Sequence, residues 1–254
     1  PWARGLAQVG RSIAAADLIV GLNPADAECV KPLMRAGAAY VEVPPFIDGS
    51  SFRAAASRRE EARRGLAAAA GLDARRPWII AVGMMRSGNK LACYQTLAAA
   101  LARLSSLDWQ LLVAGDGPAR REVEATLAPF KDRSRLLGAL SGESLANAYA
   151  AADLLAWPAI REPIGMVFLE AQAAGLPVVG ADRPGPAGIV ASGRTGLLCR
   201  EGDAAALADA IGVLLRDEPR RCAMGTAAAR HAFDKHDIAT AGPRFVNAVE
   251  GLFR

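Results

Sequence analysis

Leu154-Leu155-Ala156-Trp157-Pro158-Ala159-Ile160-Arg161-Glu162-Pro163-Ile164-Gly165-Met166-Val167-Phe168-Leu169-Glu170-Ala171 reads as a strand, a turn and a helix in direct succession. The apolar run Leu154–Trp157 is short and stops at a proline, as a buried strand should. Glu162 precedes Pro163, which pushes its backbone into the extended region. Gly165 can open a helix while bringing its N–H close to a ligand. Glu170 then falls in the second turn, and helical side chains lean toward the N-terminus. Both carboxylates are therefore expected to converge on one small volume near free N–H groups. A carboxylate accepts two hydrogen bonds and suits a vicinal diol of a ribose or hexose. The plainer alternative makes Glu162 an acid that complements the helix dipole and Glu170 a solvated helix residue. Glu170, however, stands among Val167, Phe168, Leu169, Ala171, Ala173 and Ala174. A buried carboxylate is costly unless it is paired, so a ligand or a salt bridge is expected for it.

Working outward, short apolar runs alternate with helical patterns. Strands are predicted at Ala16–Val20, Tyr40–Val43, Trp78–Val82, Gln110–Ala114, Ser134–Leu137, Leu154–Trp157 and Pro177–Val179. Helices are predicted near 24–35, 55–71, 89–104, 118–129, 141–151, 166–174, 203–216, 218–232 and 238–253. Strict alternation implies parallel strands with crossover helices, a doubly wound, Rossmann-like α/β sheet. A boundary is expected at Pro44-Pro45-Phe46-Ile47-Asp48-Gly49-Ser50-Ser51, where two prolines and turn residues interrupt the pattern. Residues 1–48 are too few to hold a core of their own, 49–237 suffice for one compact domain, and 238–254 form a terminal helix.

Ligands of such sheets bind beyond the carboxyl ends of the strands. After Trp78–Val82 come Gly83-Met84-Met85-Arg86-Ser87-Gly88-Asn89-Lys90, a turn with two cations before a helix. It reads either as a diphosphate clamp or as an ordinary basic surface turn. After Gln110–Ala114 come Gly115-Asp116-Gly117-Pro118, which either approach a ligand or simply make a tight βα turn.

The 254 residues are 52% apolar and 22% charged, which excludes a disordered chain. No apolar run reaches the length of a membrane span, and Pro1-Trp2-Ala3-Arg4 opens no visible signal peptide. Cys29, Cys93, Cys199 and Cys222 are scattered, without a C-x-x-C pair, and are expected as isolated buried thiols in a reducing compartment. His231 and His236 are expected to be solvated. The net charge of +4 suits an anionic small ligand or an acidic membrane surface, and the absence of a basic run speaks against nucleic acid. The Arg-Arg pairs at 63–64, 75–76, 120–121 and 220–221 are expected on solvated helix faces.

The segment Glu162 to Ala171 resembles the E-x-F-G-x-x-x-L-E-A motif of the group 1 (family 4) retaining glycosyltransferases. Leu111–Pro118 resembles that family's L-x-x-x-G-x-G-P turn. Ala151-Ala152-Asp153 resembles its A-x-x-A-D motif, Ala174–Val179 its G-x-P-V-V strand, and Thr195-Gly196-Leu197-Leu198 its T-G-x-L turn. The likeness runs over about 40–235. It departs where Met84 replaces an arginine, where Lys90 stands one position later than usual, and where Ile164 replaces phenylalanine.

The resemblance implies the GT-B architecture, with this chain as the donor-binding half plus the end of an absent N-terminal domain. It implies transfer of a sugar from a nucleoside diphosphate sugar to a carbohydrate or lipid-linked acceptor, with retention at the anomeric carbon. Glu170 would bind the ribose hydroxyls and Glu162 a hydroxyl of the donor sugar. The backbone N–H groups of Gly165, Met166 and Val167 would meet sugar and phosphate. Arg86 and Lys90 would neutralise the leaving diphosphate, and the base would lie near Leu137, Gly138 and Ala139. No cofactor is expected. Without a D-x-D pair, metal independence is expected too. The location implied is cytoplasmic, at the inner face of a membrane, and helix 238–253 is expected to meet the missing domain ahead of a membrane surface. Two other readings are a non-catalytic nucleotide-sugar binding module and a nicotinamide-dependent oxidoreductase. The second requires G-x-G-x-x-G and a following acid, neither of which the sequence holds.

Overall fold

A computed structural model describes residues 2–253 of the chain. The first part comprises α1 (Trp2–Ala15), β1 (Leu18–Gly21), α2 (Pro24–Val30) and β2 (Ala39–Glu42). The strands β1 and β2 form a small parallel sheet of their own. After the proline crossing come α3 (Ser50–Ser57), α4 (Arg59–Ala70), β3 (Trp78–Val82), α5 (Asn89–Ala102), β4 (Gln110–Ala114), α6 (Arg120–Leu127), β5 (Ser134–Gly138) and α7 (Gly142–Ala151). Then follow β6 (Leu154–Trp157), α8 (Met166–Ala173), β7 (Val178–Ala181), α9 (Pro184–Ile189) and β8 (Gly196–Cys199). The helices α10 (Ala204–Arg216), α11 (Glu218–Lys235) and α12 (Ile238–Glu250) end the described chain.

The second sheet has six strands in the order β5-β4-β3-β6-β7-β8, every neighbouring pair parallel. This is the doubly wound arrangement predicted above. The direction of winding reverses between β3 and β6, and a crevice opens there beyond the strand ends. The strands β3, β4, β6 and β7 are buried nearly throughout, with Trp78, Trp109 and Trp157 fully enclosed. Asp153 joins the amino ends of β3 and β6. Its carboxylate accepts from the Trp78 amide at 2.7 Å and from Arg63 Nη1 at 3.0 Å and Arg59 Nη2 at 2.8 Å. The A-x-x-A-D resemblance therefore marks a structural clasp at the end of the sheet opposite the crevice.

The crossing at Pro44–Ser51 is met by the far end of the chain. Ile47 donates its amide to the His236 carbonyl at 2.9 Å and accepts from the Ile238 amide at 2.8 Å. The Asp48 carboxylate accepts from the Ser50 amide at 2.9 Å and turns the chain into α3.

Several expectations are corrected. The segment predicted as one helix at 55–71 begins at Ser50 and breaks at Arg58, giving α3 and α4, both packed on α7. The strand β8 was read as a turn because it has four residues and starts with glycine. The helix α9 was missed because Pro184 and Pro186 suppress helical propensity, although proline is tolerated in a first turn, whose N–H groups have no intrahelical partner. The helix α1 was not assigned. His231 and His236 are not solvated but 9% and 2% exposed. Cys29 and Cys222 are exposed rather than buried, and all four cysteines are free. Of the Arg-Arg pairs, Arg63 and Arg221 turn inward, where they bind backbone carbonyls such as Ala151 and Leu214.

Candidate active site

The loop after β3 and the loop after β6 face each other across the point where the winding reverses. Between them lies a cavity of about 400 Å³ bounded by Arg86, Ser87, Lys90, Ile160, Glu162 and Pro163. Each loop is held from below. Gly83 packs so closely on Trp157 that a Cβ there would stand 2.6 Å from its ring, and the Gly83 carbonyl accepts from the Tyr94 hydroxyl at 2.6 Å. Met85 donates to Asp116 O at 2.9 Å, and Gly117 sits where a Cβ would come 2.3 Å from Met85 O. The Gly-Asp-Gly turn thus braces the neighbouring loop. The Asp116 carboxylate is occupied by its own turn and by Arg120, at 2.7 Å from the Gly117 amide and 2.9 Å from the guanidinium.

The loop after β6 carries the two non-glycine residues with positive φ among those described, Ala159 at 53° and Arg161 at 48°. L-residues adopt this conformation only at a cost, so the surroundings must impose it. Cys93 accepts the Ile160 amide at 3.3 Å, and Glu201 accepts the Arg161 amide. Burial pushes the Cys93 thiol up to about 11, so it remains a neutral prop near pH 7. Gly165 follows at φ 89° as the residue that opens α8. Among the described residues, the amides of Gly165, Met166 and Val167 have no acceptor. Three unfilled donors at a helix start form a site for an oxyanion or a hydroxyl.

Glu162 and Lys90 form an ion pair across the cavity, Oε2 to Nζ at 2.6 Å, with side-chain exposures of 15% and 26%. Arg86 is exposed at the rim and has no ion pair among the described residues. Glu170 does not bound this cavity, and its Oε2 accepts from the Tyr149 hydroxyl on α7 at 2.8 Å. Burial raises the Glu170 pKa, and the tyrosine bond partly opposes that rise. The two carboxylates thus have separate protein partners; a ligand or a salt bridge is expected for Glu170, and its partner within the chain is a hydroxyl.

Gly138 lies at the end of β5 with φ 73°, its carbonyl bound by the Gly115 amide at 2.7 Å, and Ala139 beyond it is exposed. The Leu137 side chain points instead into a separate hollow between α4 and α7. Tyr149, Cys93 and Glu201 were not anticipated. Each acts from another element, 21 to 67 residues from the atom it holds, so no local spacing announces it.

The sequence model of the family described as "Glycosyl transferases group 1" matches residues 76–217. A D-inositol 3-phosphate glycosyltransferase from Xylanimonas cellulosilytica is 33% identical over 238 residues, covering 90% of this chain and 56% of that protein. Its counterpart from Stackebrandtia nassauensis is 31% identical over 234 residues, covering 87% of this chain and 51% of that protein. The chain therefore spans about half the length of these relatives. Among solved structures, a sucrose-phosphate synthase from Thermosynechococcus elongatus superposes with a TM-score of 0.84 at 25% identity, over 99% of this chain and 62% of that one. HepE from Anabaena, solved in complex with UDP-glucose, superposes at 0.79 with 19% identity over 98% of this chain and 68% of that one, which bears on fold alone. With more than half of its length inside the family's sequence model, and with its parallel sheet matching GT-B enzymes, the chain belongs to the group 1 glycosyltransferases.

Proposed function

We propose that this chain is the donor-binding half of a glycosyltransferase that moves a sugar from a nucleoside diphosphate sugar to an acceptor hydroxyl with retention of anomeric configuration. The observation that carries the reading is the Lys90–Glu162 pair in a cavity that Arg86 also lines, together with the unfilled amides of Gly165, Met166 and Val167 at the start of α8. A leaving diphosphate gathers negative charge as the anomeric C–O bond breaks. Arg86, Lys90 and the start of α8 place positive potential where that charge grows. Glu162 holds a hydroxyl of the sugar and keeps Lys90 in place. Glu170, with Tyr149 behind it, takes the ribose hydroxyls. The acceptor hydroxyl attacks on the face the diphosphate leaves and gives up its proton as the new glycosidic bond forms. The base lies against the backbone of Leu137, Gly138 and Ala139. The acceptor side belongs to a domain beyond this chain.

Calorimetric titration with UDP, GDP, ADP and NAD, beside a Glu170→Ala control, tests the assignment. Binding of one diphosphate that the substitution abolishes supports it and names the base. A diphosphate that binds equally well to the variant removes Glu170 from the site.

A further inference from the structure

We infer that Glu201, on the turn between β8 and α10, is a positioning residue for Glu162. By holding the Arg161 amide it keeps the loop after β6 in the strained form that sets Glu162 against Lys90. This role rests on the donor reading of the cavity that Lys90 and Glu162 line.

The strain of the loop sits directly before Glu162. The Glu162 amide donates to the Ala159 carbonyl at 3.1 Å and closes a four-residue turn. Arg161 is the third residue of that turn, at φ 48°, a conformation that turns give to glycine or asparagine. Ala159, its first residue, has φ 53°. On the other side Pro163 confines Glu162 to extended backbone. The direction of the Glu162 side chain therefore depends on how Arg161 is held.

Two amides of the turn are bound from outside it. Ile160 donates to Cys93 Sγ at 3.3 Å, and a thiol sulfur is a weak acceptor. Arg161 donates to a carboxylate oxygen of Glu201, and bonds to an ionised acceptor are about twice as strong as neutral ones. Glu201 is thus the firm hold on the loop. The sheet fixes its own place. The Asp182 amide binds the Cys199 carbonyl at 2.7 Å, and the Asp203 amide closes the next turn on the Arg200 carbonyl at 3.2 Å. The Asp203 carboxylate then caps α10, accepting from the Ala205 and Ala206 amides at 3.0 and 2.9 Å. The second oxygen of Glu201 lies 3.6 Å from Nε of Arg183, which is exposed at the head of α9. One half-buried carboxylate so ties together the loops that follow β6, β7 and β8. Without it, among the described residues, the Cys93 thiol alone resists from outside the turn the return of Arg161 to negative φ, and Glu162 moves off Lys90.

The test compares Glu201→Ala, which removes the acceptor, with Glu201→Gln, which keeps a neutral one, in the intact chain. Without ligand, chemical denaturation of the single and double variants of Lys90 and Glu162 gives their coupling. The coupling is lost in the Glu201→Ala background, and about half of it or more persists with Glu201→Gln. Arg183→Gln, which removes the ion pair but not the amide bond, leaves it unchanged. A residue that merely supports the fold lowers all four stabilities alike. An undiminished coupling in Glu201→Ala therefore overturns the proposal, as does an equal loss in Arg183→Gln. With ligand, calorimetry uses the tightest-binding of UDP, GDP and ADP beside its glucose ester. Glu201→Ala weakens the ester about tenfold and the diphosphate less than about twofold, since Glu162 is the residue assigned to the sugar. In a Glu162→Gln background it weakens neither further. Parallel loss of both ligands overturns the proposal, and so does a further loss in Glu162→Gln. A chain that binds none of the three diphosphates removes the donor reading, and the coupling measurement still decides the role of Glu201.

Discussion

Tyr149 on α7 donates to Glu170 on α8 at 2.8 Å, and this is the one side-chain bond that holds the buried carboxylate among the described residues. Removing the hydroxyl leaves burial unopposed, so Tyr149→Phe raises the Glu170 pKa further. A higher pKa brings in the neutral acid earlier as pH falls, and a neutral acid is the poorer partner for a diol. Tyr149→Phe is expected to weaken nucleotide binding about tenfold, with the loss growing as pH falls. Calorimetry at pH 6 and pH 8 measures it, and an affinity with the pH response of the unmodified chain removes Tyr149 from the site.

Glu170→Gln is expected to stabilise the fold at neutral pH while abolishing nucleotide binding. The folded pKa lies above the unfolded one, so the native state binds more protons between the two values. The carboxylate therefore costs stability increasingly as pH rises through that window, and the amide removes this cost. Urea melts at pH 4 and pH 7.5 test the sign, with the gain of the variant confined to the higher pH.

The Lys90–Glu162 pair is coupled. Lys90→Met and Glu162→Gln each leave the other group half-buried without its counter-charge, whereas the double variant leaves neither. The singles are expected to destabilise by about 1 kcal/mol each, and the double by less than their sum. Chemical denaturation of the four species gives the coupling, and strictly additive effects contradict it.

Gly115→Ala is expected to be among the most damaging single changes at the site. Its Cβ would lie 2.0 Å from the Gly83 carbonyl oxygen, backbone against backbone. The loop that carries Arg86 must shift, at a cost of about 2 kcal/mol or more. Thermal melting reads the destabilisation, and nucleotide titration reads the displaced loop.

Acid weakens the fold through its histidines. Burial is the chief cause of the low pKa of His231, with His236, Lys235 and Arg194 adding to it, and burial also lowers His236. A histidine with a depressed folded pKa contributes fully above its ordinary value of about 6.5, and that contribution is lost as pH falls toward 4. Replacing His231 with Gln should flatten the stability profile between pH 6.5 and 4, which urea melts at intervals across that range will show.

The strands Trp78–Val82, Gln110–Ala114 and Leu154–Trp157 could be read to the residue because burial on both faces keeps them apolar throughout save Gln110, which opens its strand. The strand β8 could not, since its pattern is mixed and its start is a glycine. At the site, Glu162, Lys90 and Gly165 were legible because the turn and the helix start place them locally. The Tyr149 partner of Glu170 was not, because it stands 21 residues away on another helix. The inward turn of Arg63 was hidden for the same reason. Its partners Asp153, Ala151 and Arg76 gather only once the sheet exists.

The backbone bridge between Ile47 and the His236–Ile238 turn has a mechanical consequence. The chain passes between its first part and its main sheet twice, at residues nearly 190 positions apart, and the two passes are stitched side by side. A single flexible linker lets the bodies at its ends tumble freely. Two stitched passes tie the joint at two points side by side, which resists torsion more than one pass would. A cut at the Pro44–Ser51 crossing would leave the bodies joined through α12.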